Sequence, residues 1–175
     1  MEIRKLALAS IFSSLYAVLV LALAGISFQL VQVRVADALI PLSIVFGWPV
    51  VFGVTIGCVI GNVVSPMPSI ITDITFGSIA NFIASFLAWK IGCWKSGKIT
   101  INEFLGCSTA TIVITFIVGT YLAIITEMEP WVWWLGIGIG SIVSINILGY
   151  MLIQIMKKVG LKSNAHTQLK LSLIH

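Results

Sequence analysis

Charge is what this sequence most lacks. Only 9% of its 175 residues are charged, 59% are hydrophobic, and mean hydropathy is +1.11. Soluble domains carry roughly 25% charged residues, so this polar content cannot cover a globule in water. Between Leu6 and Trp89 the charged side chains are Arg34, Asp37 and Asp73 alone. Histidine and cysteine are also scarce. His166 and His175 both fall in the polar tail, and Cys58, Cys93 and Cys107 show no C-x-x-C spacing. That pattern reads as reduced packing cysteines, with neither a disulfide framework nor a zinc site. No histidine, cysteine and carboxylate cluster offers a nucleophile with its base, so nothing points to an enzyme, a metal or a cofactor.

What is present is apolar sequence in runs long enough for lipid, where a spanning helix needs about 20 such residues. Breaks in hydropathy delimit segments at about Leu6–Gly25, Val35–Gly47, Val50–Val64, Ile70–Trp89, Phe104–Thr126 and Trp131–Met156. The expectation is an all-α integral membrane protein. It would be a single bundle of six transmembrane helices over residues 1–159, followed by a polar cytoplasmic tail over 160–175. The second and third segments are short, and Pro41 is placed to kink or break the second; a re-entrant pair would lower the count to five. Arg4 and Lys5 before an apolar run, with Ala22-x-Ala24 behind it, mimic a secretory signal. The run from Leu6 to Ala24 exceeds the usual signal core of roughly 7–15 residues, which favours a retained first helix.

The basic residues orient the bundle. With six spans and a cytoplasmic N-terminus, one side receives Arg4, Lys5, Lys90, Lys95, Lys98, Lys157, Lys158, Lys162 and Lys170, nine of the ten. Only Arg34 falls opposite, which is the positive-inside pattern and predicts both termini in the cytoplasm. The outer side then collects Gln29, Gln32, Arg34, Asp37, Asn62, Ser65, Asp73, Glu127, Glu129 and the tryptophans of "EMEPWVWWLG".

Small residues recur at four-residue spacing: Gly53, Gly57 and Gly61; Gly136, Gly140 and Ser144; Ala9, Ser13 and Ala17. Such faces let helix backbones approach closely in lipid. Packing within the bundle is the favoured reading for the first two sets, and a partner protein is an alternative for the third. Asp73 admits two readings, a helix N-cap beside Thr72 or a functional ionisable group at the membrane edge. Asn81, about two turns deeper, needs a partner for its amide. Trp131, Trp133 and Trp134 can form an interfacial belt, or an aromatic wall beside Glu127 and Glu129 that suits a flat, nitrogen-rich heterocycle.

The stretch "VQVRVADALIPL", followed by "GVTIGCVIGNVVSP" and "DITFGSIANFIASFLAW", resembles the QueT family of substrate-binding S components of energy-coupling factor (ECF) transporters. The resemblance rests on Gln32, Arg34, Asp37, Ala38 and Leu39; on Gly57, Gly61 and Asn62; and on Asp73, Phe76, Gly77 and Ser78. It covers the first half of the chain well; Asp37 stands where glutamate is more frequent in the family, and the last third agrees in hydropathy and length more than in motif. The resemblance implies capture of a queuosine or archaeosine precursor, a 7-deazaguanine-like heterocycle, at the outer face beneath the loop joining the first two helices. It further implies an energising transmembrane subunit, which Ala9, Ser13 and Ala17 would face, and two ATPase subunits, since no Walker motif occurs here. Neither sequence nor resemblance implies a nucleic-acid partner. The candidate substrate contacts are Gln32, Arg34, Asp37, Asn62, Asp73, Asn81, Glu127 and Trp131, with an Arg34–Asp37 ion pair as a further role for that couple. Rival readings are an S component for another small vitamin or amino acid, and a structural membrane subunit without a ligand.

Overall fold

The structure, a computed structural model, describes residues 3–94 and 99–160. The tail beyond residue 160, with His166 and His175, and Lys95 and Lys98 in the predicted cytoplasmic loop lie outside the described residues. The regular secondary structure among those described is all helical, with no strand. We label the principal helices α1 (Ile3–Ala22), α2 (Val35–Phe46), α3 (Trp48–Val64), α4 (Ile70–Gly92), α5 (Ile99–Thr126) and α6 (Pro130–Lys158).

By length and composition α1, α4, α5 and α6 are each capable of crossing a membrane. Their outward faces carry Ile11, Ile71, Phe116, Ile124 and Ile139, all exposed, as expected of helices whose surroundings are lipid. The chain is an all-helical membrane protein. The two remaining helices are shorter, and their geometry partly offsets this. In α2 residues Val35–Leu42 form a 3-10 helix, which has a longer rise per residue than the α-helix, and only Ser43–Phe46 is α-helical. The segment therefore reaches about 22 Å and α3 about 27 Å, against a hydrocarbon core of roughly 30 Å. Pro41, which offers no N–H to a helical ladder, lies within the 3-10 stretch and does not break it. Gly47 joins α2 to α3 at φ 67°, a backbone state that side chains disfavour, and Pro49 then opens α3 at a position where a missing N–H costs nothing.

The packing follows the small residues. Gly53, Gly57 and Gly61 of α3 lie against Ala9/Phe12, Ser13/Tyr16 and Val20 of α1, so those two helices run parallel with their backbones in close approach. This corrects the expectation for Ala9, Ser13 and Ala17: all three are buried, and the stripe is filled from inside by the α3 glycines. It therefore does not present a surface to a partner. Gly136 and Gly140 of α6 serve a different end. Their missing side chains make room for the carbonyls of Leu30 and Gln32, so the loop after α1 seats its backbone in a notch on α6. Further along, α6 passes through a π-helical stretch, Ile142–Gly149, and Gly149 admits the ring of Pro41. Helices α4, α5 and α6 pack as successive antiparallel neighbours. At one end Glu103 of α5, fully buried, accepts both oxygens' bonds from Lys157 Nζ of α6 at 3.1 and 2.9 Å, with Gln154 at 3.3 Å.

Candidate functional site

At the opposite end of the bundle α1, α3 and α5 finish while α2, α4 and α6 begin. Polar side chains from five of these helices and the α1–α2 loop turn inward there and are buried: Tyr16, Arg34, Asp37, Asn62, Asp73, Asn81 and Tyr121. Burying a polar group without a partner costs a few kcal/mol, so each should be matched. Some are.

Tyr16 Oη–H donates to Asp37 Oδ1 at 2.5 Å and accepts from Asn81 Nδ2 at 2.8 Å. This chain ties α2 to α1 and α1 to α4. Asp73 Oδ1 accepts from the Tyr121 hydroxyl, which ties α4 to α5, and Tyr121 stacks on Phe76 at 5.7 Å between ring centres. The Asn62 amide donates from Nδ2 to the Asp73 backbone carbonyl at 3.1 Å. Since a carbonyl only accepts, this contact fixes the amide's orientation and leaves Oδ1 as an acceptor facing elsewhere. Arg34 lies over the Phe28 ring at 5.3 Å and directs Nη1 at Cys58 Sγ, 3.9 Å away.

Other groups in the cluster have open valences. Arg34 is 5% exposed and Asp73 1%, yet Arg34 Nε and Nη2, Asp73 Oδ2 and Asn62 Oδ1 find no hydrogen-bond partner. Arg34 also forms no ion pair among the described residues. The expected Arg34–Asp37 ion pair is therefore not made, and Asp37 Oδ1 is instead bonded to Tyr16. Gly77 marks the centre of the arrangement. A methyl group there would lie 2.7 Å from Asn62 Nδ2 and 3.6 Å from both Cys58 Sγ and the Tyr121 hydroxyl. The groups that hold Arg34, Asn62 and Asp73 thus meet around one bare stretch of helix backbone.

Six of the eight residues singled out from sequence lie in or beside this cluster. Gln32 is buried in the loop seated on α6, while Arg34, Asp37, Asn62, Asp73 and Asn81 are within it. Asp73 is not the cap of α4; Ser69 is, accepting from Thr72 N. Glu127 and Trp131 lie apart. Glu127 is exposed in the turn after α5, at φ 55°, and Trp131 is 57% exposed. Nor do the tryptophans form a free aromatic wall: Trp133 donates to Thr126 at 2.8 Å, and Trp134 donates to Thr120 at 3.2 Å while packing on Gly119. Tyr16 and Tyr121 were missed, although a tyrosine inside an apolar span signals a hydroxyl that needs a buried partner.

The QueT transporter family matches residues 6–158, which include every member of this cluster. The chain belongs to the QueT transporter family. No curated protein and no solved structure matches it. Family membership and the apolar helices together make this a membrane transport protein, and the polar cluster is the one part of its described interior with unmet hydrogen-bonding capacity on three elements at once.

Proposed function

We propose that this QueT-family chain is the substrate-binding S component of an ECF-type importer, taking up a queuosine or archaeosine precursor of the 7-deazaguanine type. The observation that carries the reading is the unpartnered trio of Arg34, Asn62 and Asp73, buried in the bundle. A guanidinium with free N–H groups beside two free acceptor oxygens is a costly arrangement unless a ligand completes it. Arg34, Asn62 and Asp73 are the direct contacts in this reading. Asp37 and Asn81, each bonded to the Tyr16 hydroxyl, position α2 and α4 against α1, and Gln32 belongs to the loop above.

In this proposal six helices span the membrane with both termini cytoplasmic, supported by the split of basic residues and by the alternating direction of α1 to α6. The cluster then lies toward the outside, beneath the loop seated in the Gly136/Gly140 notch. An energising subunit and two ATPases supply the work of release. With Ala9, Ser13 and Ala17 buried, the face of α1 left for that subunit is the opposite one. Ser10, Ile11, Ser14, Leu15 and Val18 line a shallow groove of about 460 Å³ there, and Ser10 and Ser14 are small residues one turn apart.

The test is a titration of purified protein with 7-deazaguanines, other vitamins and amino acids. Micromolar or tighter binding confined to the deazaguanines supports the reading. Binding of an unrelated vitamin or amino acid moves the protein to another substrate, and absence of binding across the panel leaves the structural-subunit alternative.

A further inference from the structure

The open valences in the cluster have a definite pattern. Arg34 Nε and Nη2 lie on one edge of the guanidinium, where their N–H bonds run parallel, and this edge is the free one because Nη1 is spent on Cys58. A parallel pair of donors grips a single carbonyl oxygen through its two lone pairs. Asp73 Oδ2 and Asn62 Oδ1 are both acceptors, held in that role by the bonds that Tyr121 makes to Oδ1 of Asp73 and that Asn62 Nδ2 makes to the Asp73 carbonyl. The vacant set therefore reads donor, acceptor, acceptor.

We infer that this trio recognises the six-membered-ring edge of a 2-amino-6-oxo purine-type ligand. Arg34 takes the 6-oxygen, and Asp73 Oδ2 and Asn62 Oδ1 take the ring N–H and the 2-amino group. This rests on the substrate reading above and goes beyond it in naming which edge is read. Three consequences follow from the chemistry. Adenine offers a donor where Arg34 donates, and xanthine offers an acceptor where an acceptor waits; each mismatch leaves buried groups facing like groups. Hypoxanthine lacks the 2-amino donor and leaves one acceptor unmet. The five-membered ring plays no part in the recognition, so guanine itself competes with its 7-deaza analogues, and neutral or aminomethyl substituents at position 7 are tolerated alike.

The experiment measures dissociation constants of the purified full chain for 7-cyano- and 7-aminomethyl-7-deazaguanine, guanine, hypoxanthine, xanthine and adenine, in wild type, Asp73→Asn and Asn62→Leu. Wild type is expected to bind the first three within about tenfold of one another and to disfavour adenine and xanthine by at least about a hundredfold, since a polar site rejects mismatched analogues strongly. In Asp73→Asn the amide oxygen keeps the Tyr121 bond and the amide nitrogen replaces Oδ2, turning an acceptor into a donor. Where Asp73 faces the 2-position, the guanine-to-xanthine preference should then shrink by at least about tenfold, a change of ratio that loss of folding does not produce; where it faces the ring N–H, which both ligands carry, both weaken alike and Asn62→Leu shrinks the ratio instead. Tight 7-deazaguanine binding with guanine excluded would show that the position-7 side is read and would overturn the edge assignment while leaving the substrate reading intact. So would an unchanged guanine-to-xanthine ratio in both folded variants, Asp73→Asn and Asn62→Leu. If no member of the panel binds wild type, the substrate reading falls and the edge assignment with it.

Discussion

Replacing Gly57 by alanine tests whether the close approach of α1 and α3 sets the geometry of the polar cluster. The added methyl would stand 2.6 Å from Tyr16 Cβ, 2.7 Å from the Ser13 carbonyl oxygen and 3.2 Å from Ser13 Cα. None of these atoms can turn aside, since each belongs to the α1 backbone or is fixed to it. Ordinary contact distances of about 3.5–4.0 Å return only if α1 moves outward by about 1 Å. Tyr16 sits on the displaced turn, and its hydroxyl holds Asp37 at 2.5 Å and Asn81 at 2.8 Å; both bonds would lengthen to the edge of usefulness. Overpacking of this kind costs about 1–3 kcal/mol, and a weakened hydrogen bond to a carboxylate about as much again. Gly57→Ala should therefore melt several degrees below wild type and bind its ligand about tenfold more weakly, a change of roughly 1.4 kcal/mol. Gly25→Ala is the control, because nothing lies within 4 Å of a methyl there. Thermal melting in detergent and a binding titration on the same preparations read both effects. If Gly57→Ala matched Gly25→Ala in both, the close approach would not govern the site.

Gly140→Ala would drive a methyl into the Gln32 carbonyl, so the loop must leave its notch; ligand dissociation should accelerate by at least about tenfold with little change in melting, as expected when a covering segment is loosened. Lys157→Met leaves Glu103 fully buried without its cation; it should destabilise by up to about 3 kcal/mol, and Glu103→Gln in the same chain should restore most of that, checked by melting of single and double variants. Arg34→Met removes a buried cation that makes no ion pair among the described residues, so the unliganded protein should melt at or above the wild-type temperature while ligand affinity falls at least about a hundredfold; a large loss of stability would show that Arg34 is structural. Cysteine labelling at position 128 but not at 98 by an impermeant reagent is expected for cytoplasmic termini, and the reverse pattern would invert the topology.

Much of the helix pattern was legible because it depends on apolar run length and on punctuation that works locally. The boundaries at Val35, Val64, Ile70 and Thr126 follow from Gly, Pro and the charged ends, while the last helix runs to Lys158, past the expected Met156. Arg34, Asp37, Asp73, Asn62 and Asn81 were legible for a related reason: in sequence this apolar a polar residue stands out. Orientation about a helix axis was not legible. Each helix is apolar on nearly every side, so periodicity cannot say which side faces a neighbour. Ala9, Ser13 and Ala17 look as suited to a partner as to α3, and only the matching glycines 53, 57 and 61 decide between them. Glu127 failed for the opposite reason. Being charged and close to a helix end made it look placed for a ligand, but its turn carries it outward, while the neighbouring Tyr121 turns in to meet Asp73.

The two glycine stripes explain why so few polar residues suffice. In lipid no hydrophobic force distinguishes one helix pairing from another, so close packing and polar contacts must specify the bundle. The α3 stripe sets α1 deep enough for Tyr16 to reach Asp37 and Asn81, and the α6 notch sets the loop low enough for Arg34 to enter the interior. Once these backbones are close, the saturated bonds through Tyr16 and Tyr121 fix four helices, and the unsaturated atoms of Arg34, Asn62 and Asp73 are held without freedom to pair with one another. A side chain free to rotate would collapse onto the nearest partner and satisfy itself. Here Asp73 is restrained by Tyr121, Asn62 by a backbone carbonyl, and Arg34 by Phe28 and Cys58. In the proposed S component this unmet capacity is preorganised for the substrate, and binding would add about 2.7 kcal/mol of stability when ligand stands at a hundred times its dissociation constant.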